Sequence, residues 1–267
     1  MTTAPNLAAD TSPLGQDSDI SIETMAMGVS YPIPRFIRGV ARRDNPKPGS
    51  GAIIQKGQQL YVEALRGLDL AVETGTRLGV LGANGAGKST LLRILTGIYP
   101  PTTGSVRVSG RIGSMLDINT GFDQNETGRD NIFLRGIFMG MSQEIIEERM
   151  DGICSFSGLG DYLDMPLFSY SSGMRARLSF AIATGFEVDI IIMDEWLSAG
   201  DASFREQAQR HMNDYVEKAG IVVLASHSEG MLKRVCNRGI VLDSGNLVFD
   251  GPIDDSIEFH VSRNKQV

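Results

Sequence analysis

Three groups of residues in this chain have the types and spacing to bind and split a phosphoanhydride. Gly82-Ala83-Asn84-Gly85-Ala86-Gly87-Lys88-Ser89-Thr90 fits the pattern G-x-x-x-x-G-K-[ST]. Glycines there let backbone N–H groups curl around a phosphate with no Cβ in the way. Lys88 reaches the β- and γ-phosphates, and the Ser89 hydroxyl is a ligand for Mg²⁺. The second group closes Val188-Asp189-Ile190-Ile191-Ile192-Met193-Asp194-Glu195, an apolar run that ends in two acids. Asp194 reads as a holder of Mg²⁺ through its water shell, and Glu195 as the group that polarises an attacking water. The third is Tyr170-Ser171-Ser172-Gly173-Met174, a small hydroxyl-rich step ahead of an apolar helical pattern. Ser171 and Gly173 at a helix N-terminus make a second anion-binding cap. Taken singly, each has a plain structural reading: a glycine turn, a core strand with solvated acids, an ordinary helix cap. Together they point to a nucleoside triphosphate.

The elements that must position these residues are legible beside them. Arg77-Leu78-Gly79-Val80-Leu81 reads as a short buried strand, and Leu91 to Leu95 begins an apolar helix. The glycine-rich loop therefore turns from strand to helix, where the helix N-terminus adds partial positive charge. Leu178, Phe180, Ala181 and Ile182 form the apolar face of the helix opened by Ser171. Val222 to Ala225 is a further apolar strand, followed by Ser226 and His227.

In this order the elements resemble the ABC-type ATPases, whose signature motif is usually L-S-G-G-Q and stands here as Tyr170 to Met174. Ser198-Ala199-Gly200-Asp201 looks like the D-loop of that family, and His227 like its switch histidine. The resemblance spans Gly82 to His227. It implies an α/β fold: a P-loop NTPase core of ABC type, with a mainly helical subdomain and an antiparallel β subdomain. It also implies that ATP with Mg²⁺ lies between two copies of the chain. Gly82 to Thr90 of one copy hold the phosphates while Ser171, Ser172, Gly173 and Met174 of the other close on the γ-phosphate. Asp201 completes the interface and His227 pins the γ-phosphate. An aromatic upstream of the loop stacks on adenine; Tyr61 is the choice and Tyr31 the alternative.

One departure narrows the resemblance. Where the family carries a glutamine that touches Mg²⁺ and the transmembrane partner, this chain reads Ser114-Met115-Leu116-Asp117-Ile118-Asn119-Thr120-Gly121-Phe122. Asp117 is the stand-in, with Asn119 as the other choice. Asp117, the Thr120-Gly121-Phe122 step, Thr127-Gly128-Arg129-Asp130-Asn131, Tyr170 to Met174 and Gly200-Asp201-Ala202 are similar to one branch of the family. That branch holds the ATP-binding subunits of exporters for O-antigen, capsule and teichoic acid. The resemblance implies a homodimer on the cytoplasmic face of the inner membrane, bound to an integral-membrane permease that moves a lipid-linked polysaccharide. The alternative is an ABC transporter ATPase for another cargo, a lipid, drug or peptide.

Composition agrees with this reading. Of 267 residues, 42% are apolar and 21% charged, ordinary for a globular α/β chain. A net charge of −7 argues against an electrostatic nucleic-acid binder, so no nucleic-acid partner is expected. Cys154 and Cys236 show no paired or metal-binding spacing. No apolar run approaches the roughly 20 residues of a membrane span, and the first residues lack the pattern of a signal peptide. Residues 1–20 are polar and expected to be disordered. The ATPase domain is expected over 21–251, opening on an edge strand from Ile20 to Tyr31. A basic, proline-containing insertion covers 32–59, the helical subdomain about 112–185, and a C-terminal tail 252–267. Leu65, Leu68, Leu70 and Val72 alternate as a strand, helices start at Gly128 and near Ser142, and Ser142 is the expected N-cap. With a tail of this length, the glycan-binding sandwich domain that some members of the resembled branch carry is not expected.

Overall fold

A computed structural model describes residues 20–34, 51–118, 120–195 and 202–264. Residues 1–19, most of the basic insertion (35–50), Asn119 and the Ser198 to Asp201 step lie outside the described residues. The chain forms two compact units.

The first unit takes the chain up to Gly110, Ile192–Glu195 and everything from Gly220 onward. It contains an antiparallel sheet of β1 (Ser21–Pro32), β2 (Ala52–Lys56), β3 (Gln59–Glu73) and β5 (Thr103–Ser109), in the order β2-β3-β1-β5. The alternation read along β3 is real: Leu65, Leu68, Leu70 and Val72 are all buried. The edge assignment for β1 is corrected. It pairs with β3 on one side and β5 on the other, so it is interior. Its second partner is a short Ser/Thr-containing segment with little hydrophobic signal of its own. All five residues of β2, and the start of β3, fall in the stretch expected to be a loop insertion, so that expectation is corrected.

A second sheet in this unit positions the site. β4 (Arg77–Leu81) lies between β8 (Ile221–Ala225) and β9 (Arg238–Asp243), parallel to both. β9 forms an antiparallel hairpin with β10 (Asn246–Pro252), and the end of β7 (Ile190–Asp194) follows β8. β8 is buried at every position, as expected of a parallel strand covered on both faces. The short α1 (Lys88–Leu95) follows β4, and α6 (Glu229–Val235) follows β8. The expected tail is corrected too: Ile253–Asn264 is a helix, α7. Ile253 and Ile257 are buried, the fully buried Ser256 hydroxyl donates to Gly239 O at 2.8 Å, and Phe259 stacks on Phe249 with centroids 4.9 Å apart. Gly239 has no space for a Cβ, which would lie 2.7 Å from Ser256. A narrow apolar stripe in an otherwise polar segment holds this helix down.

The second unit comprises Arg111–Ile191 and Trp196–Ala219. It holds the short strand β6 (Ile112–Ser114), α2 (Gly128–Phe138), α3 (Gln143–Ser157), two 3-10 turns, α4 (Ser172–Ala183) and α5 (Ala202–Lys218). It is larger than the stretch 112–185 because α5 packs into it. The Phe204 and His211 rings of α5 lie 5.4 and 4.1 Å from the Phe156 ring of α3. α2 begins where expected; Thr127 accepts from Asp130 N while the Asp130 carboxylate takes Thr127 N–H, a reciprocal cap. Ser142 precedes α3 in extended conformation, but its hydroxyl makes no capping bond to the helix backbone.

Candidate nucleotide site

The loop after β4 has the geometry its glycines predict. Gly82, Gly85 and Gly87 have φ of 148°, 83° and 113°, conformations that side chains disfavour. A Cβ at Gly82 would meet Leu242 O at 2.4 Å, and one at Gly87 would meet Ala64 O at 2.8 Å. Ala86 is fully buried and anchors the loop, its carbonyl accepting Gly245 N–H at 3.0 Å, while Ala83, Asn84 and Gly85 face outward. Lys88 opens α1, is buried, and donates Nζ–H to Gly82 O at 2.7 Å and Ala83 O at 3.1 Å. Burial lowers its pKa, opposed by the negative charge of Asp194 and Glu195. An ammonium held against two carbonyls in this way is ready to exchange them for phosphate oxygens. Thr90 lies in the first turn of α1, half-buried.

The C-terminal ends of β4, β7 and β8 bring the remaining groups to one place, the edge at which open α/β sheets bind ligands. Ser89 Oγ donates to Asp194 Oδ2 at 2.7 Å. Glu195 has φ 74° and is held on three sides. Its N–H donates to Ala225 O at 2.8 Å, Ser226 Oγ–H to its Oε2 at 2.8 Å, and His227 N–H to its Oε1 at 2.8 Å. Asp194, Glu195 and His227 are exposed at the surface of the unit. Ser89 and Asp194 therefore offer one hydroxyl and one carboxylate oxygen to a common point. Among the described residues no cluster of three or more His, Cys, Asp or Glu could hold a metal alone. That donor set fits Mg²⁺, a hard ion that takes one or two protein oxygens and completes its shell with water and phosphate.

His260 was not singled out in the sequence. It lies half-buried on α7, and its imidazole is pushed below the usual histidine range by burial, then by the positive charge of Lys88, with His227 adding to it and Glu229 opposing. Its separation from Lys88 in sequence, within a polar segment, gave no periodic signal.

The signature residues belong to the helical unit. Ser171 is the N-cap of α4, its Oγ accepting Met174 N–H at 3.2 Å, with Ser171 and Ser172 exposed and Gly173 and Met174 half-buried. Tyr170 anchors this turn: it is buried and its hydroxyl donates to Tyr162 O at 2.5 Å. Burial pushes its phenol up to about 12, so it stays a donor. Gly128 leaves room for that hydroxyl, since a Cβ there would lie 2.4 Å from it. Asn131, fully buried, ties the preceding loop together by accepting Asp123 N–H and donating to Asp123 O and Thr127 O. Much of the Thr127 to Asn131 motif thus shapes the ground under the signature turn. Arg135 of α2 donates to Thr120 O at 2.5 Å and lies over the Phe122 ring, bracing the Thr120-Gly121-Phe122 step.

Asp117 is exposed in the helical unit, with φ 51°, and its carbonyl accepts Thr120 N–H at 2.8 Å. Aspartate is one of the few side chains that tolerates this conformation in a turn. Tyr61 lies on β3 with Lys56 Nζ 5.7 Å from its ring centroid, and the Tyr31 ring meets Tyr99 edge-on at 6.1 Å. The structure thus brings together Gly82 to Thr90, Asp194, Glu195 and His227 within the first unit. Asp117 and Ser171 to Met174 stand in the second, and Asp201 lies outside the described residues.

The ABC transporter family matches residues 65–198. The O-antigen export system ATP-binding protein RfbB of Myxococcus xanthus is 42% identical over 184 residues, covering 69% of this chain and 42% of that protein. The O-antigen export system ATP-binding protein RfbE of Yersinia enterocolitica is 35% identical over 228 residues, covering 85% of this chain and 95% of that protein. This chain therefore spans less than half the length of the first relative and nearly all of the second. A solved structure of an ATP-binding subunit of an ABC transporter superposes with TM-score 0.65 at 19% identity, covering 91% of this chain and 98% of the other, a likeness of fold.

Proposed function

This chain belongs to the ABC transporter family, and we propose that it is the ATP-hydrolysing subunit of an exporter for a lipid-linked cell-surface polysaccharide. The observation that carries the catalytic part is the convergence of Lys88, Ser89, Asp194, Glu195 and His227 at the ends of three adjacent strands. The relatives named for O-antigen export support the cargo.

In this reading the amides of Gly82 to Thr90 and Lys88 bind the phosphates of ATP. Ser89 and Asp194 hold Mg²⁺, which neutralises charge on the β- and γ-phosphates when bound. Glu195 orients the attacking water, and His227 contacts the γ-phosphate. Ser171 to Met174 and Asp201 act on the nucleotide of a second copy, so the working form is a homodimer. Tyr61 stacks on adenine. An integral-membrane permease supplies the path for the glycan, with this subunit on the cytoplasmic face of the inner membrane. Among the described residues no helix is long and apolar enough to cross a membrane. The test is to replace Lys88 by Ala in the producing cell: surface polysaccharide should disappear while its lipid-linked precursor accumulates inside. Normal surface glycan with an inactive Lys88→Ala protein would remove the cargo from this reading.

Asp117 takes the place of the family's glutamine and reports nucleotide state to the permease. Asp117→Asn keeps a residue that tolerates the turn while removing the charge. It should leave ATP affinity similar and change basal hydrolysis and its stimulation by the permease. Unchanged rates would leave Asp117 as a turn residue alone.

A further inference from the structure

We propose that Ser226 is a positioning residue for Glu195, fastening the water-orienting carboxylate to the strand end that carries His227. The proposal rests on the role given to Glu195 above. Ser226 follows β8 and is only 5% exposed. Its Oγ lies 2.8 Å from Glu195 Oε2 and 3.1 Å from Ser228 N. An N–H can only donate, so Oγ accepts from Ser228, and the hydroxyl's single proton is left for the carboxylate. The neighbours thus fix the direction of the bond. Ser228 is itself set in place as the N-cap of α6, its Oγ accepting Met231 N–H at 3.3 Å. A continuous path runs from the start of α6 through Ser228 N–H and the Ser226 hydroxyl to the base.

Three consecutive residues, Ala225, Ser226 and His227, hold the one glutamate. These bonds account for how Glu195 keeps a φ of 74°, a conformation that a non-glycine residue occupies only where its surroundings over-determine it. Among the described residues each carboxylate oxygen takes one protein donor, which leaves it a lone pair for a water. Ser226 therefore leaves the base able to act while removing its rotational freedom. Without the hydroxyl, Oε2 loses its anchor, and the carboxylate turns about the bond that His227 N–H still makes. Orientation of a catalytic group is a kinetic term, so the loss should fall on turnover and spare ATP binding.

The test uses the full chain with Mg²⁺ and ATP. Ser226→Ala should lower kcat roughly tenfold, the scale of one hydrogen bond to a charged group. KM for ATP, fluorescent-nucleotide affinity and Tm should stay near wild type. Ser226→Thr, which keeps the hydroxyl, should restore most of the rate. Hydrogen exchange at the His227 amide, measured without nucleotide, should quicken in Ser226→Ala as the carboxylate it donates to loosens. In a Glu195→Gln background Ser226→Ala should cause no further loss. If Glu195→Gln hydrolyses ATP normally, the role of Glu195 falls and this proposal with it. If Glu195→Gln is inactive while Ser226→Ala turns over at the wild-type rate, Ser226 alone is overturned. A loss that Ser226→Thr does not recover, or that tracks a fall in Tm, also overturns it in favour of a purely structural serine.

Discussion

Ser89 and Asp194, 105 residues apart, are joined by a hydrogen bond of 2.7 Å at the ends of β4 and β7. Neither strand is the other's neighbour in the sheet, since β8 lies between them. Ser89 reaches the contact from the first turn of α1, beyond the loop that leaves β4, and Asp194 from the last position of β7, which is where a ligand of both residues has to sit. A hydroxyl that donates to a carboxylate in this way can turn its lone pairs to a cation once the carboxylate is shared with it.

The expected consequence is a metal-dependent affinity that Asp194 controls. Wild type should bind a fluorescent ATP analogue more tightly with Mg²⁺ than with EDTA. Asp194→Asn should lose most of that difference while its EDTA value stays close to wild type. Titration of both proteins under the two conditions checks this, and an undiminished Mg²⁺ effect in the variant would take Asp194 out of the cation site.

Gly128 and Tyr170 give a prediction about stability. Ala has the higher helix propensity, but Gly128 is buried, and a Cβ there meets the Tyr170 hydroxyl at 2.4 Å and the Leu163 backbone at 3.1 Å. Overpacking of this kind costs about 1–3 kcal/mol, so Tm should fall by several degrees. Tyr170→Phe alone removes the bond to Tyr162 O and should cost about 1 kcal/mol. The double variant should be less destabilised than the sum, because the phenyl ring clears the space. Strict additivity in thermal melts would show that the two residues do not compete for it.

The phosphate site was legible because its chemistry constrains residue type at short, fixed spacing. Gly82, Gly85 and Gly87 are needed where φ is positive, and Lys88 and Ser89 follow at once. The end of β7 was legible for the same reason, as a buried run that breaks into two acids. What could not be read depends on partners far along the chain. Ser226 looks like any serine closing an apolar strand; its meaning comes from a glutamate 31 residues away. β1 looks like an edge until β5 is seen beside it. α7 is polar enough to pass for a tail, and its buried face consists of Ile253, Ser256 and Ile257. The aromatic packing of Phe204 and His211, which draws α5 into the helical unit, likewise leaves no local pattern.

His260 predicts how stability responds to acid. Its native pKa lies below the unfolded value near 6.5, so the unfolded chain binds the proton more readily. Stability from this group is therefore intact above about pH 6.5 and is lost as pH falls toward the native pKa. His260→Gln keeps a polar side chain and removes the titration. Between pH 7.5 and 5.5, thermal melts should show a smaller loss of Tm for the variant than for wild type. Parallel Tm–pH curves would place the acid sensitivity elsewhere.

The last prediction concerns the division of one site between two chains. Ser171 caps α4 with exposed hydroxyls on it and on Ser172, and the P-loop of the same chain has its own anchoring through Ala86 and Lys88. If the signature turn serves the nucleotide of a second copy, Ser171→Arg should leave ATP binding to its own P-loop close to wild type. It should abolish hydrolysis, because a bulky cation then fills the cap that closes on the γ-phosphate. Lys88→Ala should fail earlier, at nucleotide binding. Neither homodimer should turn over, yet a mixture of the two variants contains heterodimers with one site built from an intact Lys88 and an intact Ser171. Hydrolysis should return in the mixture to a fraction of wild type, rising with the share of heterodimer measured by differently tagged chains. Loss of nucleotide binding by the Ser171→Arg monomer would place the signature turn in its own chain's site instead.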